Sequence, residues 1–462
     1  MSSEALLSKI RNGESLSQKE MIITVLLLSG PSIMAQLTTV IMQYLDAAMV
    51  GRLGSSQAAS IALVSSSTWL IGGQIAAWLL GFNILIAHEI GAKRDERARS
   101  LMKHELLWLA FLTLTLTLIC VTLSPYLPRW LGGHADIIKD ASMYFRIYGL
   151  SLLFVGLTRG CAGMIQSTGD ILIVAVLNVI MCLLDVIFNA FFIFPSHTFF
   201  FLPGMNLGVT GAALGTAMSY VVGGLTLLIY LCFISDKLKL RADEHFHFNL
   251  EDTTEALRLS LPVSFNEFVY GSAQMMLTRI ISPLGPLSLA THSFAVTAES
   301  ICYMPGYGIQ LASTTLIGQS MGAKRKELAK QFSRLILTLG MSLMTLTGLF
   351  LFIASPFMMS LFTTNKEIIH LGVRVLRIEA FAEPFFASLL VSTGICRGGG
   401  DTLTPSLSEL ISMWGIRIPL ALLLTPHFGL TGAWIAMCIQ LISVGLFMII
   451  YLHTNRWMKL EV

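Results

Sequence analysis

The stretch IGAKRDERA at residues 90–98 returns as MGAKRKELA at residues 321–329, at an offset of 231 positions. The same offset relates SGPSIM at residues 29–34 to SLPVSF at residues 260–265. Self-similarity at a fixed offset is the sequence signature of a repeated structural unit. We infer that the chain is an internal duplication.

Two further matches extend the duplication along the chain. GMIQSTGD, which ends at Asp170, returns at the same offset as GICRGGGD, which ends at Asp401. GVTGAALGTA at residues 208–217 returns as GLTGAWIAMC at residues 429–438, where the offset has fallen to 221. The ten extra residues of the first copy lie around PSHTFFFLPGMN, residues 195–206.

The composition predicts that both copies lie in a membrane. Of the 462 residues, 54% are hydrophobic and 12% are charged, whereas soluble proteins carry about 25% charged residues. Apolar runs of the roughly 20 residues that cross a bilayer recur along the whole chain. We predict an all-α membrane protein with twelve transmembrane helices in two pseudo-symmetric six-helix lobes. The predicted helices are 21–46, 58–87, 106–124, 141–166, 171–194, 208–234, 255–281, 288–316, 333–355, 369–396, 405–424 and 428–451.

Basic residues predict the orientation of the chain. Lys and Arg are concentrated in the N-terminal segment and after the second, sixth and eighth predicted helices, and such residues mark the cytoplasmic side. We expect both termini to be cytoplasmic, which requires an even number of helices. The expected parts are a cytoplasmic N-terminal segment 1–20, an N-lobe 21–234, a cytoplasmic linker 235–254, a C-lobe 255–451 and a cytoplasmic tail 452–462.

The sequence contains no catalytic or cofactor-binding motif. Its seven cysteines form no CxxC pair, so we interpret them as small buried hydrophobes rather than as a disulfide or metal framework. We predict no enzyme activity, no cofactor and no metal beyond a coupling Na⁺. The expected partners are the lipid bilayer and a small molecule, with no nucleic acid, and we expect a monomer.

Acidic residues at membrane depth are the first candidate site. A carboxylate at the bilayer centre costs at least about 2.5–3.5 kcal/mol on insertion scales. Asp185 lies deep in the fifth predicted helix, and Asn189 follows at i+4 on the same face. Their oxygens suit a small cation, and a buried carboxyl is equally a candidate proton site. Asp46, at the outer end of the first predicted helix, is the third candidate. The structural alternative for Asp185 is an interhelical hydrogen bond.

The second half of the chain offers a different set of acids. Glu267, Glu299 and Glu383 each lie ten or more residues into a predicted helix. Together they predict a second acidic cavity for substrate or coupling, and the alternative is a packing link to Arg279 or His292. Pro31 and Pro262 lie inside predicted helices, where proline bends or locally unwinds the backbone.

Several stretches together resemble the multidrug and toxic compound extrusion (MATE) transporters over nearly the full length. These are GPSIMAQLTTVIMQYLDAAMVGRLG, GAKRDERA, STTLIGQSMGAKRKELA and GICRGGGDTLTPSLSELISMWGIRIPLAL. The prokaryotic DNA-damage-inducible type is the most similar. The resemblance implies an inner-membrane antiporter that exports a cationic, amphipathic compound in exchange for Na⁺ or H⁺.

The resemblance also implies roles for single residues. Asp46 matches the first-helix acid of the family's N-lobe ion site, Glu267 matches a seventh-helix glutamate, and Thr216 matches a sixth-helix hydroxyl. One departure concerns the fifth helix, where that type has Asn followed by Asp four residues later. Here Asp185 precedes Asn189, so the pair is swapped although both side chains still share a face.

The duplication is typical of transporters that work by alternating access. Channels more often show a selectivity filter or a ring of like charges, and no such sequence is visible. Within transport, a flippase for a lipid-linked or metabolite substrate is the alternative, and it would be expected to present basic residues to the cavity. A membrane receptor or sensor is the lesser alternative.

Overall fold

The computed structural model describes residues 3–51, 53, 55–131, 135–195, 204–241 and 249–459, and within these ranges the chain is helical. The first half contains α1 (Ser3–Arg11), α2 (Gln18–Gly51), α3 (Ser55–Gly91), α4 (Asp95–Leu123), α5 (Leu127–Trp130), α6 (Ala135–Thr168), α7 (Ile171–Ile193) and α8 (Gly208–Ile229). The second half contains α9 (Leu250–Ile281), α10 (Pro286–Gly322), α11 (Lys326–Phe362), α12 (Lys366–Glu379), α13 (Glu383–Gly398), α14 (Leu403–Ser412), α15 (Ile418–Phe428) and α16 (Leu430–His453).

Helices occupy most of each of the twelve predicted transmembrane segments, and this confirms the all-α prediction. Several helices begin well before the predicted residue: α4 begins at Asp95 rather than 106, and α11 at Lys326 rather than 333. Hydropathy marks only the apolar part of a helix. The charged residues that precede these apolar parts are good helix formers, so the same helix begins before the apolar part does.

One predicted helix, 369–396, is wrong as a single element. The chain turns at residues 380–382 and divides the segment into α12 and α13. The cause is Pro384, the second residue of α13, which lacks an N–H and would clash with the carbonyl group four residues earlier in a continuous helix. By contrast, α2 and α9 remain helical through Pro31 and Pro262, so local unwinding is not observed there and bending remains a prediction.

Two helices contain a π-turn, which adds one residue to a helical turn. Tyr230–Ile234 extends α8, and Met413–Arg417 joins α14 to α15. The described residues include nine helical stretches that are long and apolar enough to cross a membrane. The other three predicted spans correspond to α9, α10 and the pair α12–α13, whose members have only 14 and 16 residues.

The duplication is visible in the backbone as well as in the sequence. Residues with positive φ occur in matched pairs: Lys93 (60°) with Lys324 (59°), Gly169 (100°) with Gly400 (85°), and Gly208 (56°) with Gly429 (58°). The first two pairs are 231 residues apart and the third is 221 apart, as the sequence matches require. The two halves, hereafter the first and second repeat, therefore share their turns.

The residues form two compact units that interleave in sequence. In the unit made of residues 38–86 and 94–258, α6 packs against α4 and α8, and α7 packs against α8. In the unit made of residues 1–37, 87–93 and 259–462, α10 packs against α1, α11 and α13. The division between the units falls within α2, after Leu37, and again within α3, after Ile86.

The last turns of α3 and α10 meet inside the second of these units. A Cβ on Gly91 would overlap the carbonyl oxygen of Gln319, and a Cβ on Gly322 would overlap that of His88. His88 also lies 2.6 Å, through Nε2, from the carbonyl oxygen of Gly398. Because His88 and Gln319 are 231 residues apart, as are the two glycines, the contact has an approximate two-fold axis.

Candidate ion-binding sites

The structure brings together three residues predicted for the first repeat. The Nδ2 group of Asn189 donates to Oδ1 of Asp46 at 2.8 Å and to Oδ2 of Asp185 at 2.9 Å. Asp185 and Asn189 are one turn apart on α7, so both face α2 at the level of Asp46. The swapped order of the fifth-helix pair therefore still allows contact with the first-helix acid.

Helix α8 completes the polar group from the other side. The hydroxyl of Ser219 donates to Oδ1 of Asp185 at 3.1 Å, and the hydroxyl of Thr216 also hydrogen bonds with Asp185. Thr216 was predicted, whereas Ser219 was not. Its position three residues after Thr216, on the same helical face, was the available signal.

The group is almost completely enclosed. Asp185 is 0% exposed and Asn189 is 1% exposed, and Asp46 and Asp185 lie within hydrogen-bonding reach of each other. Two carboxyl groups can share a hydrogen bond only while one of them holds a proton. The buried Oδ1 atom of Asn189 has no hydrogen-bond partner among the described residues, and Gly215 faces this oxygen without a side chain.

This arrangement can hold either a proton or a small cation. A proton is shared between the two carboxyls while the amide donates to both. If the amide turned over, which exchanges its oxygen and nitrogen, its oxygen would join the carboxylate and hydroxyl oxygens as hard ligands of the kind a small cation prefers. The residues therefore fit Na⁺ and H⁺ equally in chemistry.

The acids of the second repeat are grouped differently from the prediction. Glu299 and Glu383 interact electrostatically with each other, and Glu379 joins them. Glu267 instead interacts with Glu409 and Arg397. Within that second group, Asn266 donates to Glu409 at 2.8 Å, so these acids have charged or amide partners.

Sequence reasoning missed two arginines in this region, of which Arg417 is buried and Arg397 is partly buried. Arg417 lies in the π-turn among Glu299, Glu379 and Tyr270, and Arg397 lies near the C-terminal end of α13. The signal for Arg417 was an arginine inside the apolar segment ISMWGIRIPLAL, residues 411–422, of a predicted helix.

The part of α2 around Pro31 packs in a different unit from Asp46. A Cβ on Gly308 of α10 would approach the Cα atom of Ile33 to 2.6 Å, and both residues belong to the unit that contains the second repeat. A single helix thus carries Pro31 in one unit and the acid Asp46 in the other.

Comparison with known proteins gives the family. The MatE family model matches the chain twice, at residues 31–191 and 262–423, which agrees with the internal duplication. Among curated relatives, the probable multidrug resistance protein NorM of Mesorhizobium japonicum is 28% identical over 97% of this chain and 96% of its own. The probable multidrug resistance protein NorM of Thermotoga maritima is 24% identical over 90% of this chain and 88% of its own.

Solved structures have the same fold. An outward-facing multidrug resistance MATE family transporter of the MOP superfamily superimposes with a TM-score of 0.88 at 20% identity, covering 97% of both chains. A MOP superfamily transporter from Pyrococcus furiosus, described as having a binding pocket of reverse polarity, gives 0.87 at 20% identity over 97% of both chains. With its duplicated twelve-helix fold and a family model that matches both repeats, the chain belongs to the MatE family of membrane transporters.

Proposed function

We propose that this protein is a secondary antiporter that exports cationic, amphipathic compounds in exchange for Na⁺ or H⁺. The observation that carries the proposal is the bridge formed by one amide: Asn189 joins two carboxyl groups from different helices at 2.8 and 2.9 Å. Relatives over nearly the whole chain are named as probable multidrug resistance proteins, which supports the same class of cargo.

Competition for the negative charge of Asp46 and Asp185 would couple the entry of the ion to the export of the cationic compound. A coupling ion at Asp46 and Asp185 neutralises the group that would otherwise attract a cationic compound. Binding of the ion and of the cargo is then mutually exclusive, and each shifts the conformational equilibrium by its difference in affinity between the two states. In this mechanism α2 transmits the change, because it carries Asp46 near its C-terminal end and Pro31 near its middle.

The remaining candidate residues would support ion binding, helix bending or substrate binding. Thr216 contributes a hydroxyl ligand, Pro31 allows α2 to bend, and Glu267, Glu299 and Glu383 contribute to substrate binding or coupling in the second repeat. The predicted lobes, 21–234 and 255–451, are the halves that rock against each other. The protein would act as a monomer in the bacterial inner membrane with both termini in the cytoplasm.

Two arginines of the second repeat, one buried and one partly buried, favour testing a second candidate function. Arg397 and Arg417 lie inside the second repeat, and a flippase or exporter of an anionic lipid-linked or metabolite substrate needs basic residues. Both guanidinium groups, however, have glutamates as neighbours, so the surplus charge of the region is acidic. Cationic cargo remains the better match.

The decisive experiment separates the two possible driving ions. Purified protein in proteoliposomes is loaded with a fluorescent cationic compound, and a Na⁺ gradient and a pH gradient are imposed separately. We expect one gradient to drive efflux, and Asp185→Asn to abolish the exchange while the protein still folds. Glu327→Gln, which changes an exposed acid paired with Lys330, is the matched control. Wild-type exchange rates for Asp185→Asn would reject the site.

A further inference from the structure

One exposed face of α12 carries three basic side chains. His370, Arg374 and Arg377 are exposed, and their spacing of four and then three residues places them along a single face of the helix. The opposite face is buried and includes Leu376 and Glu379. We call His370, Arg374 and Arg377 the basic stripe.

The charges of the basic stripe are not neutralised by the protein. None of its three side chains forms an ion pair with a carboxylate in the described part of the chain. The two acids of α12 lie elsewhere, because Glu379 is buried on the opposite face and Glu367 lies in the first turn, directly after Lys366. Two guanidinium groups one turn apart are therefore available to an anion.

Arg377 is held in place by a carbonyl group that a proline has freed. Pro356 lies inside α11 and has no N–H to donate to the carbonyl oxygen of Phe352, four residues earlier. The Nε group of Arg377 donates to that oxygen at 3.3 Å, and its guanidinium lies over the Phe352 ring, 5.1 Å from the centroid. Because only Nε is used, the two terminal nitrogens remain for bidentate contact with a phosphate group.

The basic stripe lies near one boundary of the hydrocarbon core. Arg334 is the last charged residue of α11, and the helix from there to Phe352 is roughly 27 Å long. A hydrocarbon core is about 30 Å thick, so a helix with Arg334 at one boundary brings Phe352 and Arg377 close to the other. In the expected orientation this is the outer boundary, where Lys and Arg are scarce, so a basic stripe there calls for its own explanation.

The side chain that follows the stripe matches the orientation of a phospholipid. Phe381 lies four residues after Arg377 and is 67% exposed, and its ring packs edge-on against Phe352 with 5.9 Å between the centroids. The exposed surface thus changes from basic at His370 to aromatic at Phe381, in the direction of the hydrocarbon core. A phospholipid has the same order, with its phosphate group above its acyl chains.

We propose that the basic stripe binds an anionic phospholipid such as phosphatidylglycerol. Arg374 and Arg377 contact the phosphate group, and the acyl chains lie along Phe381. Clusters of basic residues beside a membrane-spanning helix bind anionic headgroups. A zwitterionic headgroup suits the stripe less well, because its own cation would lie next to two guanidinium groups. The site is separate from the proposed exchange of ions and cargo and does not depend on it.

The first repeat provides an internal comparison. At the offset of 231, Arg146 is the exposed counterpart of Arg377. The freed carbonyl also has a counterpart: the hydroxyl of Ser124 donates to the carbonyl oxygen of Val121 at 2.9 Å, as that of Ser355 donates to Phe352 at 3.2 Å. The other parts of the site are replaced, since Met143, Val121 and Leu150 stand at the positions of Arg374, Phe352 and Phe381. Arg146 is therefore the matched control.

The test counts bound lipids by native mass spectrometry. Purified full-length protein in detergent is titrated with phosphatidylglycerol or with phosphatidylcholine of the same acyl chains. We expect the native protein to prefer phosphatidylglycerol, and Arg374→Gln and Arg377→Gln each to weaken its binding by roughly tenfold, the effect of one hydrogen bond to a charged group. The double variant should lose the preference, whereas Arg146→Gln should keep it.

Two further arms identify the ligand and the role of each arginine. Inorganic phosphate at the concentration of the lipid should not displace phosphatidylglycerol, and displacement would show a site for a free anion instead. Arg374 has no polar partner in the described part of the chain, so Arg374→Gln keeps the test open if Arg377→Gln does not fold. Equal affinity of the native protein for the two lipids, native affinity in Arg374→Gln, or an equal loss in Arg146→Gln would overturn the proposal.

Discussion

At the residue scale, the side chain of Asn189 determines the geometry of the first-repeat site. Its amide reaches Asp46 and Asp185 together, and the space for its oxygen is provided by the missing side chain of Gly215. The asparagine amide has an NH₂ group that donates two hydrogen bonds and an oxygen that accepts. When the amide turns over, the oxygen replaces the NH₂ group beside the two carboxyls, and the side chain becomes a ligand for a cation.

Gly215→Ala should disturb this amide specifically. A Cβ at Gly215 would overlap Oδ1 of Asn189, and overpacking costs about 1–3 kcal/mol. Because each 1.4 kcal/mol is tenfold in affinity, we expect the apparent affinity for the coupling ion to fall by roughly tenfold or more. The measurement is the ion dependence of substrate exchange in proteoliposomes.

The matched control lies on the same helix. A Cβ at Gly223 would approach the sulfur of Met181 to 2.6 Å, and this flexible side chain can move aside. Gly223→Ala should therefore leave the ion dependence unchanged. Equal effects of the two substitutions would show that α8 responds to any added methyl group and that Asn189 is not the sensitive partner.

The central residues of this site were predicted from the sequence. The depth of each acid within an apolar run and the spacing of residues along a helix were sufficient to find them. Asp185 and Asn189 share a face by their spacing, and Asp46 was a candidate because it is an acid at the outer end of the first predicted helix, to which the resemblance to a family added a role. Ser219 was missed because a serine in an apolar helix is common and its role depends on which helix it faces. Arg417 was visible as a charge, but only packing shows that its neighbours are glutamates.

At the element scale, the crossing of α3 and α10 depends on two glycines. Gly322→Ala would place a methyl group on the carbonyl oxygen of His88, and the backbone atom cannot move without separating the helix ends. We expect a loss of about 1–3 kcal/mol in stability, observed as a lower melting temperature of the protein in detergent.

Gly30→Ala is the control for this substitution. Gly30 lies inside α2, and a Cβ there would have no atom within 4 Å. Alanine is favoured over glycine by roughly 0.5–1 kcal/mol in a helix interior, so the melting temperature should stay the same or rise. If both variants melt alike, the close approach of α3 and α10 does not contribute to stability.

The helices also show that hydropathy alone does not predict where a helix breaks. Apolar runs predicted all twelve segments, yet they could not distinguish a proline that a helix tolerates from one that ends it. Pro31 remains within α2, whereas the helix is broken just before Pro384. The difference depends on whether neighbouring groups satisfy the freed carbonyl groups, and this is a property of the packing around each proline.

At the scale of the whole molecule, the orientation in the membrane is the main untested prediction. We expect Ser15→Cys to be inaccessible to a membrane-impermeant thiol reagent added to intact cells, and Thr364→Cys to be labelled. Both positions are exposed in the structure, whereas Cys438 is partly buried and the other native cysteines are buried. The reverse labelling pattern would place the termini outside.

The crossing of α3 and α10 also has the contact pattern of a symmetric dimer interface. In a two-fold homodimer, residue i of one subunit meets residue j of the other, and j meets i. Here Gly91 meets Gln319 while Gly322 meets His88, which is the pattern expected if two identical six-helix ancestors once paired and their genes later fused. In such a dimer a single glycine would serve both sides. In the present chain the larger positions differ, His88 and Gln319, whereas both small positions are glycine, the one residue that lacks a Cβ.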